Sequence, residues 1–226
     1  MPIGIIVNGL SVLIGGIIGS RTGGKIPLHI RQSLPTSFGF VAMAMGIMKI
    51  AGAQSVLAVT LSVLLGTVIG EWLGIDEALK RLARKSIRRF ASENEAEALE
   101  LFVIATVIFC ASGTGIFGAM EEGFTNDPSI LLSKAGLDFF TAILFSSAVG
   151  FSIALLSIPQ TVLMTVLYLS AGLISSSLSP AIKLDFLAVG GVITMMNGFS
   201  MASLSKIKPA NSVPALLIVL LLTRVL

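Results

Sequence analysis

The sequence predicts an all-α fold, a polytopic bundle of about eight transmembrane helices with both termini outside, and three observations carry that prediction. Apolar residues make up 54% of the 226-residue chain and charged residues 12%, about half of the roughly 25% charge usual in soluble domains. Mean hydropathy is +0.97. Apolar stretches of about 17 to 24 residues recur from one end to the other, each long enough to cross a hydrocarbon core of about 30 Å. A backbone in lipid must satisfy its own hydrogen bonds, so these runs are helices, some of them open to breaks where they line a cavity. Residues 1–226 therefore read as one integral membrane domain.

The runs fall at 3–19, 34–51, 54–74, 98–119, 136–157, 160–177, 184–203 and 211–225. The first has no basic residue before it and Arg21 and Lys25 after it, the reverse of a cleavable signal peptide, so it reads as a permanent helix. Glu71 and Trp72 close the third, Trp72 as an interfacial anchor and Glu71 as a solvated or Arg-paired carboxylate. Ser92-Glu93-Asn94-Glu95 forms a capping box that opens the fourth ahead of the membrane. Asn126-Asp127-Pro128-Ser129 offers a cap followed by proline, Pro159 and Pro180 open the sixth and seventh, and Asn211-Ser212 precedes Pro214 at the eighth. The eighth is short and carries Arg224.

Charge gives the orientation. With the N-terminus outside, the inner loops hold Arg21, Lys25 and Arg31, then Lys80, Arg81, Arg84, Lys85, Arg88 and Arg89, then Lys206 and Lys208. That is eleven of fifteen basic residues, as the positive-inside rule requires. Within this set, residues 76–91 form an amphipathic helix: Ile75, Leu79, Leu82, Ile87 and Phe90 fall near one face, and the six Lys and Arg on the others. Tethered between two spans, it is expected to rest on the inner leaflet, where each basic residue gains about 1 kcal/mol from anionic lipid. A partner protein is the alternative, and nucleic acid is not expected.

Cys110 and His29 are the only residues of their types, so the chain has no intrachain disulfide and no Cys/His zinc cluster, and no cofactor is expected. HExxH and a nucleophile with a histidine base are also missing, so an enzyme is not expected.

Polar groups inside apolar runs are the candidate functional residues, because an Asp or Lys at a helix centre costs about 2.5 to 3.5 kcal/mol on insertion scales. Ser112-Gly113-Thr114-Gly115 weakens the fourth helix, and two readings stand: small residues for close helix packing, or a break that exposes backbone to a binding site. Downstream, Glu121 and Glu122 either sit at the outer interface of a continuous helix or line the mouth of a cavity. Asp138 follows Lys134 by one turn, either as an interfacial pair with Lys134 reaching outward or as a third carboxylate facing Glu121 and Glu122 across an outer vestibule. Asn8 and Asn197, each followed by glycine, need a neighbouring helix or a ligand as partner. Lys134/Asp138 and Lys183/Asp185 begin the fifth and seventh runs alike, and Met43-x-x-Gly46, Met120-x-x-Gly123 and Met195-x-x-Gly198 echo one another, by duplication or by chance.

The stretches GTVIGEWLG, CASGTGIFGAMEEGF, LLSKAGLDFFTAILFSSAVG and KIKPANSVPALL resemble the recurrent blocks of a bacterial inner-membrane family known as domain of unknown function 554, the YqgA-like proteins. The similarity runs over essentially the whole chain. It implies a small multi-pass protein of the bacterial inner membrane, of a family often labelled as transport proteins, and brings no substrate or catalytic residue with it. Phe139 stands where the family pattern has glycine after the aspartate, which puts a close backbone approach at that position in doubt.

The resulting expectation is a channel or carrier for a small solute or ion. Glu121, Glu122 and Asp138 would form its acidic outer mouth, with Ser112, Gly113, Thr114, Gly115, Asn8 and Asn197 deeper in the path. The alternative is a non-transporting structural or regulatory membrane protein acting through its basic helix. Gly-rich faces are compatible with a homo-oligomer.

Overall fold

The computed structural model describes residues 2–22, 27–87 and 96–226. The described residues are helical, without strands: α1 (Ile3–Thr22), α2 (Leu28–Ile50), α3 (Val56–Leu73), α4 (Ile75–Ile87), α5 (Ala96–Cys110), α6 (Gly113–Thr125), α7 (Ser129–Val149), α8 (Ser152–Leu155), α9 (Ser157–Ser175), α10 (Pro180–Met201), a 3-10 turn at Pro209–Ser212, and α11 (Ala215–Val225). Among the described residues, seven stretches are long and apolar enough to cross a membrane, with α5–α6 and α8–α9 each counting as one. The eighth, Pro209–Val225, is shorter.

Both boundaries of the fifth run move. The fifth run begins at Ser129 and not 136, because the chain turns at Asn126 in the left-handed region and Pro128 precedes the first helical residue. It ends at Val149, where Gly150 takes φ +89°, a conformation that L side chains disfavour. Hydropathy cannot locate that turn, because Ala148, Val149, Phe151 and Ile153 keep the run apolar through it. Asp138 therefore lies about 14 Å along α7, near its middle, and not at its outer start.

Small residues set the helix pairing. α1 runs parallel to α7: Gly4 lies on Leu131, Gly15 on the Phe139 carbonyl and Gly19 on the Ile143 carbonyl, where a Cβ would collide. The close approach beside Phe139 is thus supplied from α1. α2 runs antiparallel to α10, with Gly39 on the Gly198 carbonyl and Gly46 on that of Gly191. α3 and α11 are antiparallel, Gly66 against Ala215 and Gly70 against Asn211. A parallel α1/α7 pair requires an odd number of crossings between them. α2, α3 and the broken α5–α6 supply three.

The segment between α10 and α11 turns back into the bundle as irregular backbone. Its polar groups are satisfied locally: the Asp76 amide donates to Asn211 Oδ1 at 2.8 Å, and the Ser212 and Thr67 hydroxyls pair at 2.9 Å. At the opposite end, Asp185 holds three segments together, accepting from the Gln54 and Ser55 amides at 2.7 and 2.9 Å and from Thr223 Oγ1 at 3.0 Å.

The amphipathic helix is present as α4, which follows Gly74 in the left-handed region. Arg81, Arg84 and Lys85 are exposed, and Leu82 is 63% exposed. Lys80 turns back to Asp76 at 2.6 Å and is thereby less free for lipid. Arg88, Arg89 and the Ser92–Glu95 capping box lie outside the described residues. Lys208 Nζ reaches Glu77 at 3.0 Å, so two predicted inner loops meet on one side of the bundle. That hydrogen bond, with the charges of Lys208 and Lys80, holds the Glu77 carboxyl below its ordinary value. A depressed carboxyl pKa means the link is intact at neutral pH and is lost as pH falls through that lowered value. Lys208→Ala should therefore move the Glu77 titration upward toward 4.5, as followed by NMR of labelled glutamate; an unmoved titration would remove Lys208 as its cause.

Candidate functional site

The fourth span is broken where the Ser-Gly-Thr-Gly sequence weakens it. α5 ends at Cys110, and Ser112 caps α6 by accepting from the Gly115 amide at 3.4 Å. The continuous-helix reading is corrected accordingly. The packing reading holds as well, because Gly113 lies against Ile193 and Gly115 against Met164 and Lys134. A break places the last carbonyls of α5 and the first-turn amides of α6 at one depth, and the helix leaves both sets without partners of its own.

These ends open on a cavity of about 430 Å³. Its polar wall is made by Ser112, Gly113 and Thr114 at the break, Lys134 and Asp138 on α7, and Thr194 and Asn197 on α10. Facing them are Phe38, Val41 and Met45 of α2 with Val107 and Ile108 of α5. Toward the basic side the lining continues to Pro35, Asp76, Met201 and Pro209. Of the residues singled out from the sequence, the cavity gathers Ser112, Gly113, Thr114, Asp138 and Asn197. Asn8 touches it only through Asp138, and Gly115, Glu121 and Glu122 stand away from the wall.

Lys134 and Asp138 form an ion pair of 2.5 Å, 6% and 0% exposed. Lys134 does not reach outward as an interfacial residue would; the early start of α7 carries both groups into the bundle. Asn8 Nδ2 and Gln160 Nε2 also donate to Asp138 Oδ2, at 2.8 and 3.2 Å, and Gln160 Nε2 donates to Asn8 Oδ1 as well. Thus α1, α7 and α9 converge on one carboxylate oxygen. The other, Oδ1, has no hydrogen-bond partner among the described residues. Asn197 Nδ2 donates to Thr114 Oγ1 at 2.7 Å and ties α10 to the break.

The paired glutamates are buried, 1% and 2% exposed, and do not form an open mouth. Glu121 pairs with Lys49, one turn beyond Met45 on α2, and Lys49 also reaches Asp127 at 3.4 Å. Glu122 Oε1 accepts from the Gly4 amide at 2.9 Å, placing a carboxylate on the positive end of α1. The three carboxylates are thus held by separate partners. Asp127, in the turn outside the spans, is drawn up by partial burial, but hydrogen bonds from the Ser129 hydroxyl and amide, with Lys49, outweigh this and leave its carboxyl below the ordinary value.

Gln160, Lys49 and Thr194 carry the site yet were not singled out from the sequence. Gln160 follows a helix-opening proline and so reads as interfacial, and the partners of Lys49 and Thr194 lie far away along the chain. The sequence offers Asp127 only as part of a cap and carries no sign of its ion pair with Lys49.

Comparison with known proteins gives the family. The family described as "Protein of unknown function (DUF554)" matches residues 3–224. The chain is 36% identical over 222 residues to "Uncharacterized protein YqgA" of Escherichia coli (strain K12), covering 96% of this chain and 94% of that one. It is 27% identical over 219 residues to "Uncharacterized membrane protein YdfK" of Bacillus subtilis (strain 168), covering 95% and 93%. No solved structure matches at significance. With the match running from the start of α1 into the last turn of α11, the chain belongs to the DUF554 family of proteins of unknown function.

Proposed function

We propose that this protein is a membrane transport protein, a carrier or channel for a small solute or ion and not an enzyme, acting from the bacterial inner membrane with both termini outside. The observation that carries the reading is a cavity inside the bundle, walled by the ends of a broken helix and a buried Lys134–Asp138 pair. Buried ionisable groups in a membrane bundle are expensive, and their common use is a substrate or ion path. Broken helices with exposed ends mark binding sites in transporter folds. The cavity extends toward the basic side, and the Lys49–Glu121 pair, one turn beyond Met45 of its lining, would act as the closed outer gate.

The test is flux through the purified chain in liposomes against a panel of labelled solutes and ions. One of them should be moved, and Glu121→Gln with Asp138→Asn should reduce the rate. Flux unchanged in the double variant would remove both carboxylates from the path; a fully inert panel would count against transport.

A further inference from the structure

We infer that the chain is built as two rigid lobes that rock against each other, and that the structure is the arrangement open toward the basic side, paired with a second arrangement open to the outer side. This deepens the transport reading, making the protein a carrier and not a channel, and rests on the same cavity.

Two buried carboxylates set the lobes. Asp138 on α7 gathers α1 through Asn8 and α9 through Gln160. Asp185 on α10 gathers the start of α3 through the Gln54 and Ser55 amides, and α11 through Thr223. The other helices follow their neighbours: α5, α6 and α8 pack with the first set, and α2 packs along α10 in the second. Glu122, on the Gly4 amide, stays within the first lobe. Lys208 and Asn211 tie α4 to the second. The Lys/Asp echo in the sequence thus marks one anchor in each lobe.

Between the lobes the contacts are of another kind. α6 meets α10 through rings and small residues: the Phe117 ring lies over Gly190 and 5.9 Å from the ring of Phe186, and Gly113 faces Ile193. Phe38 of α2 touches Phe140 of α7 with ring centroids 5.8 Å apart. At the break, Asn197 ties the seam to Thr114. Further polar ties stand toward the outer side. Glu121, about 10 Å beyond Thr114 along α6, takes Lys49 of α2. Lys49 also reaches Asp127 at 3.4 Å, and Lys183 of α10 donates to Ser175 of α9 at 2.9 Å. The cavity lies on this seam, with Val107, Leu137 and Thr141 of the first lobe facing Phe38, Met45 and Asn197 of the second.

The anchors and the ties differ in what separation costs. Asp138 and Asp185 are 0% exposed, so opening either lobe strands buried polar groups. The side chains of Lys49 and Asp127 are 22% and 40% exposed, and water takes over their charges when the lobes part. At the basic end the side chains that face each other are apolar, Leu144 and Phe145 against Pro35, Met201 and Pro209, and form a dry seal when brought together. Rocking about the break therefore exchanges one closed end for the other.

The experiment is double electron–electron resonance on the full-length protein in nanodiscs, in a Cys110→Ser background. Nitroxides at Met48 and Leu132 span the outer end of the seam, at Ser33 and Ala148 the basic end, and at Ile18 and Ile158 the first lobe alone; all six positions are exposed. Glu121→Gln, which removes the charge from the outer tie, should raise the ratio of outward-open to basic-open protein about tenfold or more, the weight of one hydrogen bond to a charged group. A longer distance then appears for the outer pair and a shorter one for the basic pair, in equal proportion, while the distance within the lobe stays that of the parent. Lys183→Met, at the other outer tie, should act in the same direction and serves if Glu121→Gln fails to fold. Unchanged distances across both ends in these variants overturn the inference. So does a longer outer distance without a shorter basic one, which is a local gate, or a changed distance within the lobe. Exchange of the two arrangements in a protein inert to the whole solute panel would sink the transport reading and keep this one. Flux by a protein whose distances stay fixed would do the reverse.

Discussion

Asp138→Ala should destabilise the protein by about 3–5 kcal/mol, the largest single-residue effect expected in this bundle, because it strands a buried ammonium. Lys134 is 6% exposed and Asp138 is its ion-pair partner. The same substitution removes the acceptor for Asn8 and Gln160, so α1 and α9 lose their shared anchor on α7. Replacing both charges, Lys134→Met with Asp138→Leu, should recover most of the loss, since a buried pair exchanged for apolar groups of similar volume is often neutral or better. Reversible unfolding in mixed micelles measures both variants. If the single variant is as stable as the parent, the ammonium has another partner or water reaches it freely. If the double variant is as unstable as the single, the hydrogen bonds from Asn8 and Gln160, and not the charge pair, hold the site.

Lys49→Met should be the next most disruptive change. Glu121 is 1% exposed and pairs with Lys49, while Lys49 itself retains some contact with solvent. Removing the ammonium leaves a buried carboxylate without its counter-charge, which should destabilise by about 3 kcal/mol, the lower end of the range for a broken buried pair. Glu121→Gln made alone should be milder, because it strands a lysine that can reach water and Asp127. The order of the two stabilities is the readout. Equal effects would mean that Glu121 is not confined as its burial indicates.

Much of this fold is legible in the sequence because hydrocarbon imposes strong constraints. The apolar runs, the amphipathic helix and the weakened Ser112–Gly115 stretch all follow from local composition, and α1 to α4 fall close to where hydropathy puts them. What escapes is set by partners distant in the chain. Asp138 is read as near a helix start because the apolar residues Ile130–Leu132 give no clue that the helix begins before them. Once α7 starts at Ser129, Lys134 and Asp138 must be inside, and the question of whether they reach the interface is answered by one boundary. Glu121 and Glu122 look alike as neighbours in sequence, yet adjacent residues on a helix point about 100° apart. One therefore finds Lys49 on α2 and the other the amide of Gly4 on α1. Neither partner carries a local signal.

The central claim is that a cavity with one polar wall, reached by water from the basic side, lies within the bundle at the break in the fourth span. Cysteine accessibility tests it most directly, in a Cys110→Ser background with single cysteines at Thr141 and Ser133 on the cavity wall and at Val68, which is 67% exposed on the lipid-facing side of α3. A small charged thiol reagent applied to each side of sealed membrane vesicles should modify positions 141 and 133 from the basic side and leave position 68 unmodified. Equal inertness at all three positions would mean that the space between α2, α7 and α10 is dry and closed, contradicting the account.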